Sequence, residues 1–315
     1  MTHCGIHCPM KLHNASGNLA AFIAAGLFGA SVVATRVAVQ EIPPLNLAIL
    51  RFGQGGLILF LCLFFGARNL LKVKQHDLPF LVLLGAILFA MFPVTFNISL
   101  RFTEASRGAL MLATMPIWSA WIARVARKER LNPRQIAGIL FTFTGVGIVL
   151  AERGLNWQGS AFALAGDGLM LLTALCGAIY GVLAQRMLAR YSALVVTMYA
   201  MLFGTFLLFP AAILEGFPQT FIRIDGKIAI LILFLGVFGG ALAFYLWTFA
   251  LTRLTPTQVA VYVNVNPLVA IVLGAALLTE KLTGVFVVGF VAVVVGVLFV
   301  NWPRGVESEL HFSEE

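Results

Sequence analysis

PIWSAWIARVARKERL, residues 116–131, and PLVAIVLGAALLTEKL, residues 267–282, share a proline, a glutamate, a basic residue and a leucine at matching places, 151 positions apart. The same offset joins Gly26 with Gly177, Gly53 with Gly204, Gly85 with Gly236, Gly138 with Gly289 and Gly145 with Gly296, without a gap. Six of the 12 glycines from Gly17 to Gly147 meet a glycine at this offset, where about one would do so by accident at 30 glycines in 315 residues. The chain is therefore an internal duplication. Its period is far too long for a solenoid repeat. It suits two copies of a five-helix membrane unit, and an odd number of spans per copy turns the second upside down, the build of many secondary transporters.

Composition agrees. With 60% hydrophobic and 11% charged residues and a mean hydropathy of +0.97, the chain has more apolar surface than a soluble fold of this size hides. Ten stretches can cross a hydrocarbon core of about 30 Å, which takes roughly 20 helical residues: 18–38, 44–66, 78–99, 104–123, 133–151, 160–186, 193–214, 227–249, 255–278 and 283–301. The expected fold is an all-α integral membrane protein of ten transmembrane helices in two inverted five-helix repeats, residues 18–151 and 152–302. A cytoplasmic N-terminal tail, 1–17, and a cytoplasmic C-terminal tail, 303–315, flank them.

The net charge of +8 is spread over loops instead of one polar segment, which argues against nucleic acid as a partner. Lys and Arg number 13 on the side of the N-terminus and seven on the other, with Arg51 inside a span. By the positive-inside rule both termini are cytoplasmic in a multi-pass protein of the cell (inner) membrane. The bias rests mainly on the loop from Arg124 to Arg134 in the first copy. No cleavable signal peptide is apparent.

Ahead of the first span stand His3, Cys4, His7, Cys8 and His13, a set that metals favour. No second ligand cluster closes a structural site, so a disordered tail, or an upstream start ahead of Met10, is the plainer reading. No metal and no cofactor is expected. Cys62 and Cys176 lie in spans as small packing residues.

Prolines punctuate the spans in two ways. Pro44, Pro79, Pro133 and Pro256 stand near helix starts, where a missing amide hydrogen costs nothing. Pro93, Pro116 and Pro267 fall inside apolar runs and should kink spans three, four and nine. Pro116 and Pro267 are repeat equivalents, with Thr114 before one and Asn264 and Asn266 before the other. Buried amides need partners, and two readings stay open: they satisfy the carbonyls freed by proline, or they face a solute. Gly26 with Ala30 and Gly177 with Gly181 form equivalent small-xxx-small pairs suited to close helix packing.

Every histidine lies outside the spans, so an intramembrane Ser-His dyad, a bridging haem and a buried His zinc site are excluded. A single span aspartate, Asp167, leaves no aspartyl pair. No GxxxxGK[ST] loop is present. An enzyme is not expected. Arg51 and Asp167 are the charges inside spans, each costing about 2.5–3.5 kcal/mol on insertion scales. Both lie about two turns in from the same surface, which suggests an ion pair serving as outer gate or as anchor for a zwitterionic solute; a purely structural bridge or snorkelling is the other reading.

Of the aromatics, Trp157, Trp302, Trp118 and Trp121 read as interfacial anchors. Tyr180, Tyr245, Trp247 and Tyr262 lie deeper, where a phenol or indole needs a polar partner, and suit a pocket for an aromatic or amphiphilic metabolite.

The ten spans in two copies, PPLNLAILRF from Pro43 to Phe52, and the paired Pro-to-Glu stretches resemble the EamA-type proteins of the drug/metabolite transporter superfamily over residues 18–302. The resemblance implies an exporter of small metabolites, amino acids being a common class, working by alternating access. It also implies a cavity between the halves lined chiefly by spans one, three, four, six, eight and nine, with five and ten peripheral. The deep aromatics point further to the aromatic amino acid exporters. The expected solute site is Asn97, Thr114, Tyr180, Tyr245, Trp247, Tyr262, Asn264 and Asn266. A channel or a non-transporting membrane receptor is the alternative; the partners are a small-molecule substrate and the lipid bilayer, and monomer and homo-oligomer both stay open.

Overall fold

The computed structural model describes residues 8–39, 41–102, 111–127, 132–152, 161–222, 224–278 and 283–302. Every regular element among them is helical. We number the long helices by span. α1 is Cys8–Ala38 and α2 Pro44–Gly66; α3 joins Leu78–Gly85, a π-helical stretch Ala86–Met91 and Phe92–Phe102. α4 is Met115–Arg127, α5 Pro133–Glu152, α6 Ala161–Leu188 and α7 Ala193–Leu214. α8 joins Gly226–Phe234, a π-helical stretch Leu235–Leu242 and Ala243–Ala250; α9 joins Pro256–Ala260, a 3-10 turn Val261–Val265 and Asn266–Leu278; α10 is Gly284–Asn301.

Nine of these, all but α4, contain described stretches long and apolar enough to cross a membrane. The segment ahead of α4, where the fourth span is expected to start, lies outside the described residues. So do His3, Cys4, His7, Trp157, Glu129, Glu280 and the tail 303–315. α1 starts ten residues before the expected first span. Pro9 sits in its first turn, where proline is tolerated, and no helix breaker follows before Gly17, so the polar lead-in continues the helix. Elsewhere capping side chains set the ends. Ser192, Asp225 and Thr283 each accept a backbone N–H of the first turn of α7, α8 and α10, and Thr255 with Gln258 forms a capping box at α9.

The two copies pack about a pseudo-twofold. α2 lies on α7, α5 on α10 and α4 on α9; α3 contacts α6 and α7 as α8 contacts α1 and α2. The clearest view is the α5–α10 crossing. A Cβ built at Gly138 would lie 2.6 Å from the Gly296 carbonyl oxygen, and one at Gly145 2.7 Å from that of Gly289. As residue number rises on one helix it falls on the other, so the helices run antiparallel, and each contact is the repeat image of the other, as an isologous interface requires.

Irregular turns repeat as well. The π stretches of α3 and α8 overlap at the repeat offset, and the turn at Ala113–Thr114 before α4 matches the 3-10 turn of α9. Such interruptions free carbonyls and recur at functional sites. Pro116 and Pro267 stand at the second position of the helical segments that resume after these breaks, while Pro93 follows a π stretch in which Phe92 N–H already reaches back to Ile87.

Polar ties fasten the copies at both ends. At one, Asp77 accepts from Arg190 Nη1 and from the Tyr191 hydroxyl, each at 2.8 Å, and Tyr199 donates to the Leu71 carbonyl at 2.9 Å. At the other, Glu215 accepts the N–H of Leu45 (2.8 Å) and Asn46 (3.1 Å) at the start of α2, where a carboxylate complements the helix dipole.

Candidate functional site

Between the copies lies a cavity of about 110 Å³, room for several waters at about 10–15 Å³ each on the same measure, or for one small solute. Its wall comes from α1, α2, α3, α6, α8, α9, the segment at Leu112 and Met115 at the head of α4; none of it comes from α5 or α10. The participation of α2, through Leu47, Ala48, Arg51 and Phe52, is an addition to the helices the sequence points to.

The residues contributed by α1 (Phe28 to Thr35), α2 (Leu47 to Phe52) and α3 (Leu88 to Asn97) all belong to the halves nearer the α1–α2 connection. Gly177 and Asn266 lie near the middle of α6 and α9, and Phe244, Trp247 and Val263 in the halves of α8 and α9 on the N-terminal side, so the cavity is central in the bundle. Beneath it lies an aromatic floor: Phe28 meets Phe244 edge-on at 4.7 Å and Trp247 at 5.9 Å, and Phe89 lies 4.9 Å from Phe244 and 5.4 Å from Phe52. Edge-to-face and tilted arrangements of this kind are the ones the ring quadrupoles favour. Beyond the floor, toward the N-terminal side, hydrogen bonds tie the helices together. The Tyr180 and Thr248 hydroxyls lie 3.1 Å apart, the Tyr262 hydroxyl donates to Asn18 Oδ1 at 3.1 Å, and Gln185 Nε2 donates to the Leu254 carbonyl at 3.3 Å.

The structure divides the eight expected solute-site residues. Asn97, Trp247 and Asn266 line the cavity. Tyr180 is wholly buried under the floor and Tyr262 packs at 5% exposure, each with its hydroxyl engaged as above. Tyr245 leans on Phe249 at 6.2 Å outside the cavity wall. Thr114 turns its hydroxyl back to the Met111 carbonyl (2.6 Å) and accepts from Trp118 Nε1 (3.2 Å), so it closes the break before Pro116. Asn264 is buried at 1% exposure on the 3-10 turn, outside the lining, and neither amide atom has a protein partner.

Arg51 faces the cavity, and its Nη2 donates to the Gly239 carbonyl of the α8 π stretch at 2.8 Å. Its guanidinium lies 5.2 Å from the Phe52 ring. The described ion pairs are those of Asp77 with Arg190 and His76, and not one between Arg51 and Asp167. Asp167 is buried on α6 next to Gly166, whose carbonyl accepts Ser99 Oγ at 2.8 Å. Equal depth in the membrane does not place two side chains on facing helix surfaces.

Two polar cavity residues escaped the sequence reading, Ser31 and Thr35 on α1. With Phe28 and Val32 they recur at the i, i+3, i+4, i+7 spacing of one helix face, a signal that the small size and common occurrence of serine and threonine in spans conceals. Among the described residues no cluster of three or more His, Cys, Asp or Glu is placed to hold a metal.

Residues 15–151 and 164–302 each match the family model described as "EamA-like transporter family". An "Uncharacterized transporter" of Archaeoglobus fulgidus is 29% identical over 276 residues, covering 86% of this chain and 92% of its own. A Salmonella typhimurium protein named "Probable amino-acid metabolite efflux pump" is 29% identical over 285 residues, covering 87% and 91%. A solved crystal structure at 20% identity shares the fold with a TM-score of 0.77 over 90% of this chain and 96% of that one. Duplicated helices, an inverted pseudo-twofold and a cavity between the copies thus coincide with a family match in both halves: the chain is a multi-pass membrane protein of the EamA-like transporter family.

Proposed function

We propose that this transporter exports small amphiphilic metabolites, amino acids among them, from the cytoplasm by alternating access through the central cavity. The observation that carries the reading is a partly polar cavity at the junction of two inverted copies, closed on the N-terminal side by an aromatic floor and the hydrogen bonds beneath it. The name of the Salmonella relative supports the solute class.

With both termini in the cytoplasm and the inner membrane as the site, the tyrosine ties lie on the cytoplasmic side of the cavity and form a closed cytoplasmic gate. Tyr180 and Tyr262 then serve gating, while Asn97, Trp247 and Asn266 meet the solute. Exchange of states requires the halves to rock about the breaks before Pro116 and Pro267, which stand at matching depth.

Counterflow in proteoliposomes tests this. Purified protein is expected to exchange labelled solute saturably, with Asn97→Ala and Trp247→Ala impaired. Single-channel currents without saturation, or wild-type exchange by both variants, would refute it. A reporter fused at Glu315 that works only outside the cell would overturn the orientation.

A further inference from the structure

Arg51 is a cation set deep in the wall of an apolar cavity, and among the described residues no carboxylate shares that wall. Its hydrogen bond to Gly239 goes to a neutral carbonyl, which orients the guanidinium without cancelling its charge. Nε is shielded and has no acceptor. Two more lining groups lack partners, the Thr35 hydroxyl on a residue only 9% exposed and Asn266 Oδ1. Unmet buried polar atoms converging on one cavity mark a place where a ligand completes the hydrogen bonding. The surrounding surface is aromatic and aliphatic, from Phe28, Phe92, Phe96 and Trp247.

We propose that the cavity selects solutes by a carboxylate docked on the Arg51 guanidinium, with the apolar body of the solute on the aromatic floor and no requirement for an amino group. This deepens the transport reading and rests on the cavity being the transport site. Guanidinium is suited to a carboxylate because its planar fork matches it and is weakly hydrated. An ammonium group finds no counter-charge among the described lining residues. Aromatic faces attract ammonium ions, but in so small a space Arg51 repels them, and in low dielectric that repulsion outweighs the ring attraction. The expected order is therefore carboxylate first, zwitterion next, amine last.

The test uses purified full-length protein and three solutes with one side chain: 3-phenylpropionate, phenylalanine and phenethylamine, read by competition against labelled solute in counterflow and by tryptophan fluorescence. We expect 3-phenylpropionate to compete at least as well as phenylalanine, and phenethylamine to be about tenfold or more weaker. Arg51→Gln should weaken 3-phenylpropionate by about 10- to 100-fold, the range for a lost hydrogen bond to a charged group. It should leave its neutral methyl ester unchanged, and Arg51→Lys should restore part of the loss. A purely structural role for Arg51 would weaken acid and ester alike and overturn the proposal, as would an amine that competes equally. If solutes are exchanged and are sensitive to Trp247→Ala but show no preference for the acid, the carboxylate anchor falls while the transport reading stands. If exchange ignores every cavity variant, both fall.

Discussion

Gly138→Ala probes the antiparallel crossing of α5 and α10 on which the inverted architecture rests. The added Cβ would sit 2.6 Å from the Gly296 carbonyl oxygen and 2.9 Å from the Val300 nitrogen, both backbone atoms that no rotamer change can move. Ordinary contact begins at 3.4 Å, so the helices must part by about 0.8 Å (3.4 less 2.6) at the crossing. Overpacking of this kind costs about 1–3 kcal/mol, and a gap of that size forfeits roughly a quarter to a half of each dispersion contact along the seam. Alanine's better helix propensity returns about 0.5–1 kcal/mol. The steric term wins, and a net loss of about 1–2 kcal/mol is expected.

The assay is equilibrium unfolding in mixed micelles, followed by tryptophan fluorescence. The pseudo-twofold supplies an internal control: Gly289→Ala, whose Cβ meets the Gly145 carbonyl at 2.7 Å, should cost a similar amount. Gly138→Ala combined with Gly296→Ala should cost less than the sum, because both act on one crossing and the first substitution has already opened it. Since neither helix lines the cavity, solute affinity of the folded protein should not change. Wild-type stability for Gly138→Ala, or a fall in affinity without a fall in stability, would refute this reasoning.

Other substitutions address the site. Trp247→Ala should raise the half-saturation concentration in counterflow by roughly tenfold, from loss of ring contact with the solute and with Phe28. Gly239→Ala places a Cβ 3.2 Å from Arg51 Nη2 and into the Ser31 hydroxyl, and is expected to lower affinity by about tenfold by unseating the guanidinium, read in the same assay. Tyr262→Phe removes the donor to Asn18 between α1 and α9 and should lower unfolding stability by about 1 kcal/mol with the cavity lining intact. Asp77→Ala cuts the tie to Arg190 and Tyr191 and should speed protease cleavage of the loop around Leu70 to Lys74.

Much of the architecture is readable along the chain because membrane burial is one-dimensional. A run of apolar residues must be a helix to satisfy its backbone in lipid, and its ends carry caps and prolines, so α2 and α7 fall where expected, at 44–66 and 193–214. Positional identity between the copies is equally local information, and an odd span count converts it into inversion. The deep aromatics were harder. Polarity and depth group Tyr180 and Tyr262 with Trp247, yet the partners of the two hydroxyls lie 68 and 244 residues away, and no pattern near either tyrosine names Thr248 or Asn18.

The one-dimensional code alone determined that this protein is two membrane-embedded copies of opposed sense, because hydropathy, helix punctuation and repeat spacing are properties of neighbouring residues. Only the packed bundle decided which polar groups face the hollow. Rotation of each helix about its axis is set by contacts with other helices, and that rotation turned Ser31, Thr35 and Arg51 inward, sent the Tyr180 hydroxyl to α8 and the Tyr262 hydroxyl to α1, and directed the Arg51 guanidinium to a carbonyl of α8.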